Sequence, residues 1–321
     1  MNRRDFLAAA AAAPLLFGGA PALAGRRGGT PLALVTADLE AAIVAIDLST
    51  GRVHRRLATA ADPRSLESVR GGAALVAHTA SGRMTLVGSG LEVDPIRGPF
   101  EAPRYAAASP DGRVAYVTDS ARSEVAIVDL RARRVTGRVP VGGPARHLSL
   151  DPLGRRLWVV LGSKSAEIAI VGLDHPRGPQ VVDRLRPPFL AHDVGYEPRG
   201  ARVWVTSGDR GRLAVYDDHG TRLLRTRGAD APPQHVTFLG GRAFVTSGDD
   251  ALLRVHRLSD GRLLKSTALP CGSYNVQQGW GVVLTPSLDE GTLCVLSERG
   301  ALVRRLEVAR SSHDACFAMA R

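Results

Sequence analysis

The sequence predicts an all-β fold, a seven-bladed β-propeller. Three observations lead there: a period near forty residues, strand-like content in every repeat, and chain ends that each hold part of one repeat. Seven segments begin with one or two polar residues and then turn apolar. They read P-R-S-L-E-S-V from Pro63, P-R-Y-A-A-A-S from Pro103, A-R-H-L-S-L-D from Ala145, A-H-D-V-G-Y-E from Ala191, P-Q-H-V-T-F-L from Pro233, S-Y-N-V-Q-Q-G from Ser273 and S-H-D-A-C-F-A from Ser312. Ser65, Tyr105, His147, Asp193, His235, Asn275 and Asp314 hold equivalent positions, 39 to 46 residues apart. A period of this length, built from strands, is the mark of radial blades.

Each repeat supplies four strands. The segments above lead, and a turn follows: Ser109-Pro110-Asp111-Gly112, Asp151-Pro152-Leu153-Gly154 or Glu197-Pro198-Arg199-Gly200. Proline presets the backbone angle of the second turn position and glycine suits the exit. Second strands read A-Y-V-T at Ala115, L-W-V-V at Leu157, V-W-V-T at Val203, A-F-V-T at Ala243 and L-A-L-V-T at Leu32. Aromatic and β-branched residues of this kind suit a pleated surface packed on both faces. Third strands end near a polar residue, as in V-A-I-V-D at Val125, L-A-V-Y-D at Leu213 and I-V-A-I-D at Ile43. A fourth, more polar strand such as residues 262–267 faces outward.

Residues 31–59 offer a second, third and fourth strand without a lead, and residues 311–321 offer a lead strand alone. Together they make the seventh blade. Pairing the C-terminal strand with N-terminal strands closes the ring and removes open edges that would recruit other chains.

The first 24 residues stand apart. Arg3 and Arg4 precede Asp5-Phe6-Leu7, an Ala-rich stretch follows, and Pro21-Ala22-Leu23-Ala24 places small residues before Gly25. This resembles a bacterial twin-arginine (Tat) signal peptide, with cleavage after Ala24. The apolar stretch from Phe6 to Phe17 is short against the ~20 residues of a membrane span. The expected division is a signal over 1–24, a short linker over 25–30 and a propeller over 31–321. The Tat machinery would then deliver the mature chain to the periplasm or beyond, with no stable membrane span.

The formal charge is +11, nearly all from arginine, with Lys164 and Lys265 the only lysines. A basic surface attracts polyanions, but no lysine run or basic helix is present to enter a groove, so nucleic acid is the weaker reading. The runs Arg131-Arg133-Arg134 and Arg304-Arg305 fall on expected outer strands and turns, where a solvated face is the plain interpretation. Cys271, Cys294 and Cys316 are odd in number and lack C-x-x-C spacing. They read as small buried hydrophobes, with a Cys271–Cys316 bridge as a lesser alternative. A chain of this length can bury about 75% of its unfolded surface and needs no disulfide scaffold.

Chemistry is expected where the lead strands begin, because in a propeller these strands surround the axial channel. The paired positions are Arg64/Ser65, Arg104/Tyr105, Arg146/His147, His192/Asp193, Gln234/His235, Tyr274/Asn275 and His313/Asp314. Four of the nine histidines fall there. Imidazoles that converge from several strands can ligate a transition metal, oriented by neighbouring carboxylates, so His147, His192, His235 and His313 are the candidate metal ligands. Arg64, Arg104, Tyr105, Arg146, Asp193, Gln234, Tyr274, Asn275 and Asp314 are the candidate ligand-binding residues, and the three arginines favour a carboxylate or phosphate. His192 and His313 share one strand register and His147 and His235 the next, so period-two alternation predicts that the four do not all aim at one point. His54, His78, His175, His219 and His256 fall on outer strands or turns and are expected at the surface.

The strands A-Y-V-T-D at Ala115 and V-W-V-T-S at Val203, with the S-P-D-G turn at Ser109 and V-A-I-V-D-L at Val125, resemble the YVTN-type seven-bladed propellers. The likeness covers essentially the whole mature chain and is clearest over residues 103–220. It implies the fold and leaves the function open. Paired WD40 signatures are absent. So are G-x-S-x-G, H-E-x-x-H and phosphate-loop motifs. The leading expectation is an exported, non-catalytic module that binds a ligand or a periplasmic protein at its channel mouth. The alternative is a metal-dependent lyase, hydrolase or oxidoreductase that uses the mouth histidines.

Overall fold

A computed structural model describes residues 29–219, 221–229 and 232–321. The expected signal peptide and most of the linker lie outside the described residues. Strands form seven four-stranded antiparallel sheets, each ordered lead, second, third, outer. The lead strands of blades one, two and four are Pro63–Val69, Pro103–Ala108 and Ala191–Tyr196. Those of blades three, five and six are Leu148–Leu150, Val236–Leu239 and Gln277–Gly279, which start just past the polar pair. No helix among the described residues is long and apolar enough to cross a membrane.

Blade seven is built from both ends of the chain. Its lead strand is Ala315–Ala320, which pairs antiparallel with Thr30–Ala37, from Thr30 opposite Ala320 to Val35 opposite Ala315. Strands Ala42–Asp47 and Val53–Ala58 complete it.

The apolar core is divided into seven clusters, one in each cleft between neighbouring blades. This follows from the sequence, since blade strands are apolar on both faces. The closing strand feeds two clefts: Ala315 and Phe317 pack toward blade six, Cys316 and Ala318 toward blade one.

The threonine of the V-T motif joins blades. Thr118 Oγ1 accepts the Tyr105 amide at 3.0 Å and donates to the Arg146 carbonyl of the next blade at 2.6 Å. Thr206 accepts the Asp193 amide at 2.9 Å and donates to the Gln234 carbonyl at 2.7 Å. Thr246 accepts the His235 amide at 3.4 Å and donates to the Tyr274 carbonyl. A hydroxyl can serve both bonds because it both donates and accepts. Each such threonine therefore fixes its own lead strand relative to the next one around the channel.

Three sequence expectations need correction. His78 and His256 are fully buried, because they face clefts between strands and not solvent. His78 Nε2 bonds Thr85 Oγ1 at 2.9 Å, and His256 Nδ1 donates to the Gly261 carbonyl at 3.1 Å. His54 and His219 are exposed as expected, and His175 is half-buried. All three cysteines are free thiols, and Cys271 is exposed because it sits on the loop before the blade-six lead strand.

Candidate functional site

Three of the four candidate histidines converge. One ring nitrogen from each of His147, His192 and His235 lies within 4.8 Å of the other two. The ring centroids stand 4.6 Å apart for His147–His192, 4.6 Å for His147–His235 and 5.3 Å for His192–His235. Tyr105 packs on His147 at 4.2 Å. The three histidines come from blades three, four and five, which are consecutive.

Convergence of these three crosses the two strand registers, and a β-bulge explains it. Ala191 pairs with Ser207 and Val194 with Val205, so His192 and Asp193 together face the single residue Thr206. Two residues opposite one is the bulge count, and it re-aims the bulged side chains. His192 thus reaches the same point as His147 and His235, although simple alternation sends it elsewhere.

Partners set the state of each ring. His192 Nδ1 donates to the Ser163 carbonyl at 2.8 Å, which leaves Nε2 as its lone-pair nitrogen. His235 Nδ1 lies 3.3 Å from Asp193 Oδ2, which likewise leaves Nε2 free. The Asp193 carboxylate also accepts the Val236 amide at 3.2 Å. Metal-binding histidines typically show this pattern, with the second ring nitrogen held by a carbonyl or a carboxylate. His147 is 1% exposed, and among the described residues neither of its nitrogens makes a well-formed hydrogen bond. An orphaned buried imidazole costs stability unless something satisfies it.

Burial favours the neutral form of His147 and His192. It holds the His147 pKa well below the ordinary histidine value, helped by repulsion from His192, His235 and Arg146. Burial, then His235, holds His192 down to about 3. Neutral imidazole is the form that binds a metal.

His313 stands apart from the trio. Its Nδ1 donates to the Arg64 carbonyl at 2.7 Å and its own carbonyl accepts from Asn275 Nδ2 at 2.8 Å. Asp314, the counterpart of Asp193, accepts the Leu66 and Ala315 amides at 2.8 Å each and, among the described residues, pairs with no imidazole. Burial pushes its carboxyl well above the usual range, against those two bonds. Asn275, His313 and Asp314 thus join blades six, seven and one. Gln234 and Tyr274 lie at the rim, where both bond Asp249: Tyr274 Oη at 2.7 Å and Gln234 Nε2 at 3.4 Å.

The mouth also carries the three arginines. Arg64 pairs with Asp38 at 3.2 Å. Arg104 Nε donates to Ser120 Oγ at 3.1 Å, and its pKa is lowered by burial and then by repulsion from Arg146. Below the trio the channel opens into a cavity of about 340 Å³ lined by Glu67, Tyr105, His147, Ser149, Asp193 and His235, among others. Burial lifts the Glu67 carboxyl to about 8, opposed by the Ala108 backbone and Gln277. Glu67, Asp38 and the Ser163 carbonyl are site groups that sequence reasoning missed. The first is two residues past the equivalent mouth position, Asp38 opens a short 3-10 turn after Thr30–Ala37, and Ser163 lies on a loop.

No family model matches this chain, and no curated protein matches it. Solved structures do. The apo form of AztD from Citrobacter koseri aligns with a TM-score of 0.69 at 10% identity, covering 91% of this chain and 99% of that one. A functionally unknown protein from Desulfotomaculum acetoxidans aligns at 0.77 with 12% identity, covering 90% and 99%. The periplasmic gluconolactonase PpgL of Pseudomonas aeruginosa aligns at 0.70 with 18% identity, covering 91% and 99%. The fold is a seven-bladed propeller. At these identities the likeness extends to the fold alone, so function must be argued from the site.

Proposed function

We propose that this chain is an exported, YVTN-type propeller that binds a transition-metal ion at His147, His192 and His235. The observation that supports this reading is the trio itself: three imidazoles from adjacent blades, two with their second nitrogen held by a carbonyl and a carboxylate, and the third buried with no well-formed hydrogen bond among the described residues. Imidazole donors suit zinc, copper, nickel or iron, and three ligands leave a position open. The twin-arginine leader supports export. A module that binds its ligand without turnover fits the absence of a nucleophile–base motif in the sequence.

The test is metal uptake by protein made without a histidine tag and purified without chelators. Zn²⁺ or Co²⁺ should bind at one equivalent and raise the melting temperature. His147→Ala, His192→Ala and His235→Ala should each lose the ion, while His313→Ala should keep it. Wild-type protein that takes up no more metal than His147→Ala would overturn the proposal.

A second reading has one observation behind it. An open metal position beside a cavity of about 340 Å³ could polarise a carbonyl, and one structural neighbour is named a gluconolactonase. Metal-dependent lactone hydrolysis that disappears in His147→Ala would favour this reading.

A further inference from the structure

We infer that the channel mouth takes an oxygen anion, a carboxylate or an oxyanion, held by Arg104 and Arg146 beside the histidine trio. The inference deepens the metal reading, because the same anion would occupy the position that three histidines leave open. Its arginine component stands on separate observations.

The first is a pair of uncompensated charges. Of the three mouth arginines, only Arg64 has a carboxylate, Asp38. Among the described residues neither Arg104 nor Arg146 forms an ion pair. Arg104 donates its Nε to Ser120, and among the described residues its terminal nitrogens make no hydrogen bond. The Arg146 Nε is buried and has no partner. A guanidinium offers five donors, and burying one of them unsatisfied is costly.

The second is position. Arg146 immediately precedes His147, and its charge acts on His147, His192 and His313 as well as on Arg104 and Tyr105. Arg64 acts on Arg104, Tyr105 and His313. The three arginines precede equivalent mouth positions on blades one to three, and their charges reach the trio or its neighbours. Asp193 is committed to His235 and the Val236 amide, Asp314 to two amides and Asp38 to Arg64, while Asp62 attracts Arg104 without forming an ion pair with it. A divalent ion placed there would add positive charge beside two guanidinium groups that have no ion pair among the described residues. A bidentate or bridging oxygen anion satisfies the guanidinium donors and offsets that charge.

Linkage follows. If the anion binds metal and arginine at once, anion and metal each raise the affinity for the other by the same factor. Removing Arg146 should therefore have opposite effects in the two conditions. In anion-free zwitterionic buffer the metal should bind more tightly, because a repelling charge has gone. With anion present the enhancement should be lost.

The experiment uses the full mature chain. Co²⁺-loaded protein is titrated with acetate, bicarbonate and phosphate, with chloride as control, and the visible cobalt bands are followed. Metal-free protein is titrated with the same anions by calorimetry. We expect saturable binding of at least one oxygen anion, with the preference among the three distinguishing a carboxylate from an oxyanion. Arg104→Gln and Arg146→Gln should each weaken it by about tenfold or more, with melting curves close to wild type. Co²⁺ that binds but ignores every oxygen anion overturns this inference and leaves the metal reading standing. Anion binding that depends on both arginines in protein that takes up no Co²⁺ supports the anion site and overturns the metal reading. No anion binding in either form overturns the inference outright.

Discussion

Asp193→Asn should weaken metal binding at the trio while its counterpart, Asp314→Asn, should not. The two carboxylates hold the same position in blades four and seven, and each accepts a backbone amide of the next blade, Val236 for Asp193 and Leu66 for Asp314. Only Asp193 also faces an imidazole, at 3.3 Å from His235 Nδ1. A carboxylate there orients the ring and raises the basicity of its other nitrogen. Losing such a partner costs about 10–100-fold in metal affinity, or about 1.4–2.7 kcal/mol. Asparagine has one acceptor oxygen for two donors, so the fold also loses about one charge-assisted hydrogen bond, worth about 1.5–3 kcal/mol. Asp314 is already pushed toward its neutral form by burial, so asparagine mimics it closely and should cost less. The assay is competition for Zn²⁺ against a chromophoric chelator, with melts of the metal-free proteins run in parallel. Equal losses of affinity in the two variants would refute the reasoning. So would an unchanged affinity in Asp193→Asn.

Two further predictions concern the scaffold. Glu67 keeps its proton in the folded state up to about 8, against an ordinary value of 4.5, so across that window the folded chain binds more protons than the unfolded one and stability falls as pH rises. Glu67→Gln should flatten that fall and melt higher than wild type above the window, and parallel melting profiles across it would contradict the assignment. Deleting residues 311–321 removes the lead strand of blade seven, bares the edge of Thr30–Ala37 and empties Phe317 and Cys316 from two clefts. Phe317 alone is worth about 1.5–3 kcal/mol of burial, a large share of a typical domain's net stability of about 5–15 kcal/mol. The truncated chain should aggregate or fail to fold, and a monomer with unchanged melting would show that the ring does not need its closing strand.

The ring was legible because its signal is repeated. The lead segment recurs seven times, the second-strand pattern is plain in five blades and the proline-glycine turn in three, and the split repeat at the ends fits blade seven alone. The V-T motif was readable as a strand, but its threonine was not readable as the link to the next blade, since that bond crosses about 28 residues of chain. The histidines were located by position, yet their convergence was not predictable. Strand alternation puts His192 out of phase with its neighbours, and only the bulge opposite Thr206 brings it back. Burial of His78 and His256 was hidden for a related reason. His78 ends its second strand where Asp119, Ser207 and Ser247 end theirs, whereas His256 occupies the third-strand position held by Ile46, Val128, Val171, Tyr216 and Leu296, and the clefts between blades enclose both.

The trio also bears on the order in which the molecule can assemble. His147 and His235 bound a continuous stretch of chain, and the three rings belong to an arc of three neighbouring blades that excludes the split blade. That arc can exist before residues 315–320 return to meet the N-terminal strands. An ion seated on it would fix the angles between three blades at once, and the angle between neighbours decides how many blades complete a circle. Occupancy at the site would then act as a gauge of curvature, bringing the two ends of the chain within reach of each other.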